Sequence, residues 1–287
     1  MSIESLEPSI VHEAAARALG EDRGPLDITS EATIPPNLKT KARIFCKEQG
    51  VLCGVVIARA VFHEVDPSLN VEIVKADASS MAKNDTVMTI KGNAKSITVG
   101  ERAALNFLQH LSGIATKTAR YVTALGEGAS TQILDTRKTV PGMRALQKYA
   151  VRCGGGLNHR KGLYDEFMIK DNHFAMAALN GWNIEQVIGE AKRFDPDRKL
   201  TVEADTLAQV EVIAELGVDQ ILLDNMSNEE MRMAVELVAG KAKLEASGNI
   251  TLERVPEVAA TGVDYISVGA LTHTIKALDF SLETSWS

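Results

Sequence analysis

Between Asp135 and His173 the chain reads DTRKTVPGMRALQKYAVRCGGGLNHRKGLYDEFMIKDNH, eight Lys and Arg against four Asp and Glu in a protein of formal net charge −7. The clearest members, Arg137-Lys138, His159-Arg160-Lys161 and Lys170, fall beside predicted strand ends and turns, where side chains can converge. A charge run is most often a solvated face, but the residues downstream favour a pocket for a strongly anionic ligand. Glu203 and Asp224 lie near the ends of two later predicted strands. Two carboxylates with no His or Cys at ligand spacing suit a hard cation such as Mg²⁺, held partly through water and a substrate phosphate. Ser247-Gly248-Asn249 and Ser267-Val268-Gly269-Ala270 offer backbone N–H groups that a phosphate can approach closely. Either run alone reads equally well as a turn. Together with the carboxylates they imply a phosphorylated sugar, which leaves the basic cluster for a second anion.

These residues need a scaffold that brings strand ends together. At 287 residues, with 45% hydrophobic and 24% charged residues, the chain is long enough for an α/β barrel with an added module. A pI near 5.5 gives no global basicity of the kind nucleic-acid binding favours. The start, MSIESLEPS, lacks the basic and apolar regions of a secretory signal, and no apolar run reaches about 18 residues. A cytoplasmic protein with no membrane partner is the expectation. Cys46, Cys53 and Cys153 have neither CxxC nor Cys/His ligand spacing and read as reduced thiols with no metal or redox role.

Up to about residue 111 the pattern alternates. A helix is expected over Ile10 to Leu19, strands over Ala42 to Lys47, Val71 to Ala76 and Thr86 to Lys91, and a helix over Val55 to Val65. GEDRGPLDIT is a turn-rich loop. A long helix then opens in ITVGERAALNFLQHLSGIATKTARYV, with Arg102 near its start, and links the two parts. From Thr131 the grammar becomes strand, loop, helix, strand, with strands at 131–134, 167–169, 200–204, 220–224, 243–247 and 265–269. Gly217 suits the left-handed position after a helix, and Ser227 with Glu230 has capping-box spacing. Repeated βα units favour a barrel or a doubly wound sheet. Arg137-Lys138, Lys170, Glu203, Asp224, Ser247-Gly248 and Gly269 follow or end six successive strands, which in a parallel barrel places them on one rim.

On GERAALNFLQHLSGIAT, DTRKTVPGMR, KYAVRCGGGLNHRKGLYDEFMIKDNH, VEADTLAQV, ILLDN, EASGNI and ISVGALTH, in that order along nearly the whole chain, the sequence strongly resembles the quinolinate phosphoribosyltransferase family. The resemblance implies an N-terminal α/β sandwich, residues 1–111, followed by an irregular α/β barrel with fewer than eight strands, residues 112–274, with the tail 275–287 returning to the first domain. It also implies a homodimer with shared active sites. GEDRGPLDIT departs from the family's EDxGxGDxT by carrying Leu26 at the second glycine, which puts that turn in question.

Carried over residue by residue, the resemblance implies that Arg102, Arg137, His159, Arg160 and Lys170 surround the two carboxylates of quinolinate. Thr136 and Lys138 would line the site, with Lys138 near the reacting ribose or pyrophosphate. Glu203 and Asp224 would hold Mg²⁺ and the ribose hydroxyls of phosphoribosyl pyrophosphate; Ser247, Gly248, Asn249, Val268, Gly269, Ala270 and His273 would hold its 5-phosphate. Lys138, Glu203 and Asp224 are the expected catalytic group, and His173 is read as structural. The implied reaction gives nicotinate mononucleotide, pyrophosphate and CO₂, as in NAD biosynthesis. Other readings are a molybdenum-locus homologue with a different phosphoribosyl-type substrate, an aldolase with Lys170 as Schiff base, and a non-catalytic phosphosugar-binding protein.

Overall fold

The computed structural model describes residues 4–284; the first three and last three residues of the expected domains lie outside it. The chain divides into two compact units, one comprising residues up to Ala119, Pro141–Gly155 and the chain from Thr274 onward, the other Arg120–Val140 and Gly156–His273.

In the first unit the elements are α1 (Pro8–Arg23), α2 (Ile28–Thr33), β1 (Lys39–Cys46), β2 (Gly50–Val51), α3 (Val55–Val65), β3 (Asn70–Ile73), β4 (Ser80–Met81), β5 (Thr86–Asn93) and most of α4 (Ala94–Ala124). α5 (Arg144–Cys153) and β12 (Phe280–Thr284) also belong to it. An antiparallel sheet in the order β12-β1-β5-β3 forms its centre, and β2 pairs with β4 beside it. Ala42, Ile44 and Cys46 alternate inward along β1, the period-2 pattern of a strand with one covered face. Leu26 is 53% exposed and keeps a negative φ, because the left-handed residue here is Gly24, at φ 55°. Asp27 then caps α2, its Oδ1 accepting the N–H groups of Thr29 and Ser30 at 3.1 and 3.0 Å. The turn therefore tolerates leucine where the family pattern has glycine.

The second unit holds β6 (Gln132–Leu134), β7 (Phe167–Ile169), α6 (Asp171–Ala178), α7 (Ile184–Phe194), β8 (Leu200–Ala204), α8 (Leu207–Glu215), β9 (Gln220–Asp224), α9 (Asn228–Val238), β10 (Lys243–Ser247), α10 (Val255–Ala259), β11 (Tyr265–Ser267) and α11 (Ala270–His273). The six strands form one parallel sheet, β6-β11-β10-β9-β8-β7, the irregular barrel-like α/β architecture with fewer than eight strands. β8 is buried at every position and β9 and β10 nearly so, as expected when both faces of a parallel sheet are covered. The helices are punctuated by local chemistry. Thr206 Oγ1 accepts from Gln209 N–H at 3.3 Å ahead of α8, and Gly217 comes after it at φ 65°. Before α9, Ser227 and Glu230 exchange side-chain-to-backbone bonds of 3.2 and 2.8 Å, a reciprocal capping box. Parallel registers such as Glu203 with Leu222 and Ser247 with Asp224 bring the C-terminal strand ends to one edge of the sheet.

Arg144, Lys148 and Arg152 recur every fourth residue along α5 in the first unit; Lys148 is buried, and Arg152 pairs with Glu4 at 2.7 Å. Among the described residues no helix is long and apolar enough to cross a membrane.

Candidate active site

A cleft of about 300 Å³ opens at the strand ends of the second unit, lined by Thr136, Arg137, Lys138, His159, Arg160, Met168, Lys170, Glu203, Leu222, Asp224, Glu245, Ser247 and Ser267. Its size is within the small-ligand range. Four Lys and Arg side chains meet three carboxylates in it, so it is built for a ligand that carries both anionic groups and hydroxyls.

After β6, Lys138 N–H donates to Thr136 Oγ1 at 3.0 Å, and the Lys138 carbonyl accepts from Thr272 Oγ1 at 2.7 Å. The segment is thereby fixed at both ends. Leu157 bridges to Leu134, which carries His159 and Arg160 to the same edge. Asp135, fully buried, takes the His159 backbone N–H at 2.9 Å and Asn158 Nδ2 at 2.6 Å. Arg160 is 9% exposed. Burial first, and the neighbouring Arg137 charge second, pull its guanidinium below the ordinary arginine range, against the opposing pull of Glu166 and Asp165. Two close cations at a partly desolvated wall describe a site poised for an anion. Lys161 is not among the lining residues; its backbone N–H donates to Asp165 at 2.6 Å.

Lys170 follows β7, and its ammonium pairs with Glu203 Oε2. Its backbone N–H donates to His173 Nδ1 at 3.0 Å, so His173 steadies the turn into α6. Glu203, Asp205 and Asp224 each place a carboxylate oxygen within 4.8 Å of the others. An all-oxygen donor set of this kind fits Mg²⁺ and does not fit a soft metal. Asp205 is absent from the sequence expectation; it stands just past the end of β8, and the turn there brings its carboxylate to that of Glu203.

The remaining expected residues surround the cleft unevenly. Ser247 lines it, whereas Gly248, Asn249, Val268, Gly269, Ala270 and His273 do not. Gly248 has φ 93°, and a Cβ there would strike Asn225 Oδ1; that same oxygen accepts from Asn249 Nδ2 at 3.1 Å. Asn225, itself at φ 55°, is thus the unforeseen organiser of this turn. At Gly269 a Cβ would come within 3.0 Å of Lys138 Cδ and 3.1 Å of His273 Nε2, so glycine lets those two side chains approach the last strand end. Ala270 and His273 lie on the single turn α11, and Val268 N–H is taken by Leu134 O at 2.9 Å. Arg102 is exposed on α4 in the first unit and is not a lining residue.

One of the three cleft carboxylates was passed over by sequence reasoning. Glu245 is fully buried on β10, two residues before Ser247, and accepts from His159 Nε2 at 3.1 Å and from the Gln220 amide.

Residues 27–112 match the family model of the quinolinate phosphoribosyl transferase N-terminal domain, and residues 114–283 that of its C-terminal domain. Over 282 residues the chain is 43% identical to the mitochondrial quinolinate phosphoribosyltransferase (decarboxylating) 2a of Nicotiana tabacum, covering 93% of this chain and 80% of the relative. It is 39% identical over 268 residues to the probable nicotinate-nucleotide pyrophosphorylase (carboxylating) of Bacillus subtilis, covering 93% and 91%. The solved structure of nicotinate-nucleotide pyrophosphorylase from Francisella tularensis superposes with a TM-score of 0.93 at 38% identity, over 99% of both chains. With both domain models matched in order and the cleft assembled from the strand ends of the second unit, this chain belongs to the quinolinate phosphoribosyltransferase family.

Proposed function

We propose that the protein transfers the phosphoribosyl group of phosphoribosyl pyrophosphate to quinolinate and releases CO₂, forming nicotinate mononucleotide and pyrophosphate in NAD biosynthesis. The observation that carries this reading is the meeting of Arg137, Lys138, Arg160 and Lys170 with Glu203 and Asp224 in one strand-end cleft of a chain of this family.

In this reading Arg137, Arg160 and Lys170 bind the two pyridine carboxylates and orient the ring nitrogen toward ribose C1. Thr136 fixes the turn that presents Lys138, which faces the ribose and the leaving pyrophosphate. As the C1–O bond lengthens, positive charge develops on the ribose, and the fixed Glu203 carboxylate stabilises it without reorganisation. Glu203 and Asp224, with Asp205, hold Mg²⁺; when bound, the metal neutralises pyrophosphate charge. Ser247, Gly248 and Asn249, with Val268, Gly269, Ala270 and His273, receive the 5-phosphate. Once the nitrogen is ribosylated the ring is a cationic electron sink beside the 2-carboxylate. The C–C bond electrons stay on C2 beside the positive nitrogen as CO₂ departs, a proton from water takes the place of the lost carboxyl, and no redox cofactor is required.

We further propose a cytoplasmic homodimer in which Arg102 of each chain completes the site of its neighbour. Three free, buried cysteines accord with a reducing compartment. The test of function is direct: mixing the protein with quinolinate, phosphoribosyl pyrophosphate and Mg²⁺ should yield nicotinate mononucleotide, pyrophosphate and CO₂ in equal amounts. Absence of that product, with turnover of another aromatic acid, would assign the site to a different phosphoribosyl acceptor.

A further inference from the structure

β6 and β11 leave the parallel sheet side by side and are joined again beyond it. Val268 N–H donates to Leu134 O at 2.9 Å, continuing the β6–β11 register. Further along the same two segments, Thr272 Oγ1 donates to the Lys138 carbonyl at 2.7 Å. Thr272 is buried, whereas Lys138 is exposed. The hydroxyl has one proton and two carbonyls in reach, that of Lys138 at 2.7 Å and that of Gly269 at 3.2 Å. Gly269 O already accepts the Thr272 and His273 backbone N–H groups at 3.1 and 3.3 Å, so the proton goes to the Lys138 carbonyl. Gly269, just before α11, also meets the lysine stem: a Cβ there would lie 3.0 Å from Lys138 Cδ. An exposed lysine has a flexible four-carbon stem and much rotamer freedom to lose. Holding its backbone and one side of its stem removes part of that freedom before any ligand arrives.

We propose that Thr272 is a positioning residue for phosphoribosyl transfer, which acts through the Lys138 main chain to aim the Lys138 ammonium into the cleft. Thr272 is not a lining residue of that cleft, so it acts on the reaction only through what it holds. The role given to Lys138 rests on the function proposed above, but the bond that ties its turn to α11 does not. In that reading Ala270 and His273 on the same turn receive the 5-phosphate, so one short turn sets both ends of one substrate. The hydroxyl is the part of Thr272 that matters. Thr272→Ser keeps the donor, whereas Thr272→Val keeps the side-chain shape and leaves the Lys138 carbonyl without it.

Two measurements test this. The first needs no substrate and follows amide hydrogen exchange of the whole protein by mass spectrometry. In Thr272→Val, exchange across residues 136–139 should quicken about tenfold or more, while peptides from β8 and β9 stay within about twofold of wild type. Thr272→Ser should stay within about twofold throughout. Faster exchange everywhere in the Val variant, or none in the 136–139 turn, would overturn the proposal. The second is a double-mutant cycle with Lys138→Ala, read by calorimetric binding of phosphoribosyl pyrophosphate with Mg²⁺. Thr272→Val should weaken that binding about fivefold or more when Lys138 is present and less than about twofold when it is not, each time moving quinolinate affinity less than about twofold. Equal losses in the two backgrounds would show that Thr272 acts through something other than Lys138, and an equal loss of quinolinate affinity would show a general structural effect. A Ser variant as damaged as Val would show that packing matters and the hydroxyl does not; each of these results refutes the proposal. If Thr272→Val does not fold, Thr272→Ala takes its place against the same limits. A protein that shows the exchange pattern but neither binds phosphoribosyl pyrophosphate nor turns over quinolinate would refute the proposed function, and with it the part of Thr272 in transfer, while the tie to Lys138 stood.

Discussion

Arg160 and Arg137 carry the most direct consequence for substrate choice. Two neighbouring cations, one of them largely buried, gain most from a ligand that supplies two carboxylates. Nicotinate lacks the 2-carboxylate and would leave charge desolvated and unpaired, at a cost of roughly 2–5 kcal/mol. Its kcat/KM should therefore fall orders of magnitude below that of quinolinate, and comparable values would exclude this pairing. Arg137→Ala and Arg160→Ala should each weaken quinolinate binding, measured by calorimetry, far more than binding of phosphoribosyl pyrophosphate. At the opposite wall, Glu203→Ala or Asp224→Ala should impair Mg²⁺-dependent transfer while largely sparing quinolinate binding by the free enzyme; full activity and an unchanged metal response in both would remove the pair. Thr136, Arg137, Lys138, Lys170, Glu203, Asp224 and Ser247 were legible in sequence because each sits at or just beyond a strand end, and Arg160 because it falls in a basic triplet at a turn. His159 was legible as a position, but nothing in NHRK reveals that its ring also meets Glu245. That Arg144, Lys148 and Arg152 lie on a helix was not legible, because a charge run does not announce where a helix begins inside it.

Most strands were readable, and those from β7 to β10 to the residue, because apolar runs ending in polar or glycine residues mark a buried parallel sheet. The short helices α5, α6 and α7 were not, since their periodicity is brief and their polar residues read as loop. β12 escaped notice because its pairing with β1 is set by tertiary register across most of the chain. The glycine closing α5 offers a stringent test. A Cβ at Gly154 would strike the Ala115 carbonyl and come within 2.6 Å of Thr118 Cβ on α4. Backbone cannot yield as a flexible side chain does, so Gly154→Ala should destabilise the protein by about 1–3 kcal/mol in denaturant melts. Asp77 offers a second test. Its carboxylate, which accepts from Val55 N–H at 3.0 Å and Tyr149 Oη–H at 2.9 Å, is pushed above its ordinary value of 3.8 by burial. The folded state thus holds this proton more tightly than the unfolded one. The contribution to stability is greatest below the ordinary value and is lost as pH rises through the raised one. Asp77→Asn, relative to wild type, should accordingly gain stability as pH rises above about 4, a trend that paired urea melts would read; a constant difference would show that Asp77 does not titrate abnormally.

For the assembled enzyme the decisive question is whether Arg102 serves its own chain. Arg102→Ala and Lys138→Ala subunits should each be nearly inactive alone, yet recover activity when exchanged into hybrids if the site is shared, because one site of each hybrid is then intact. No recovery despite verified exchange would refute sharing. The sheet order β12-β1-β5-β3 has a different kind of consequence, one that concerns time. β1 ends at Cys46 and its outer partner begins at Phe280, so on a ribosome adding 5–20 residues per second the strand waits roughly ten to fifty seconds for its edge to be covered. An open edge in a crowded cell invites pairing with other nascent chains. Lys39, Lys41 and Arg43 alternate along that strand, and like charges spaced in this way disfavour pairing between copies while the edge is still open.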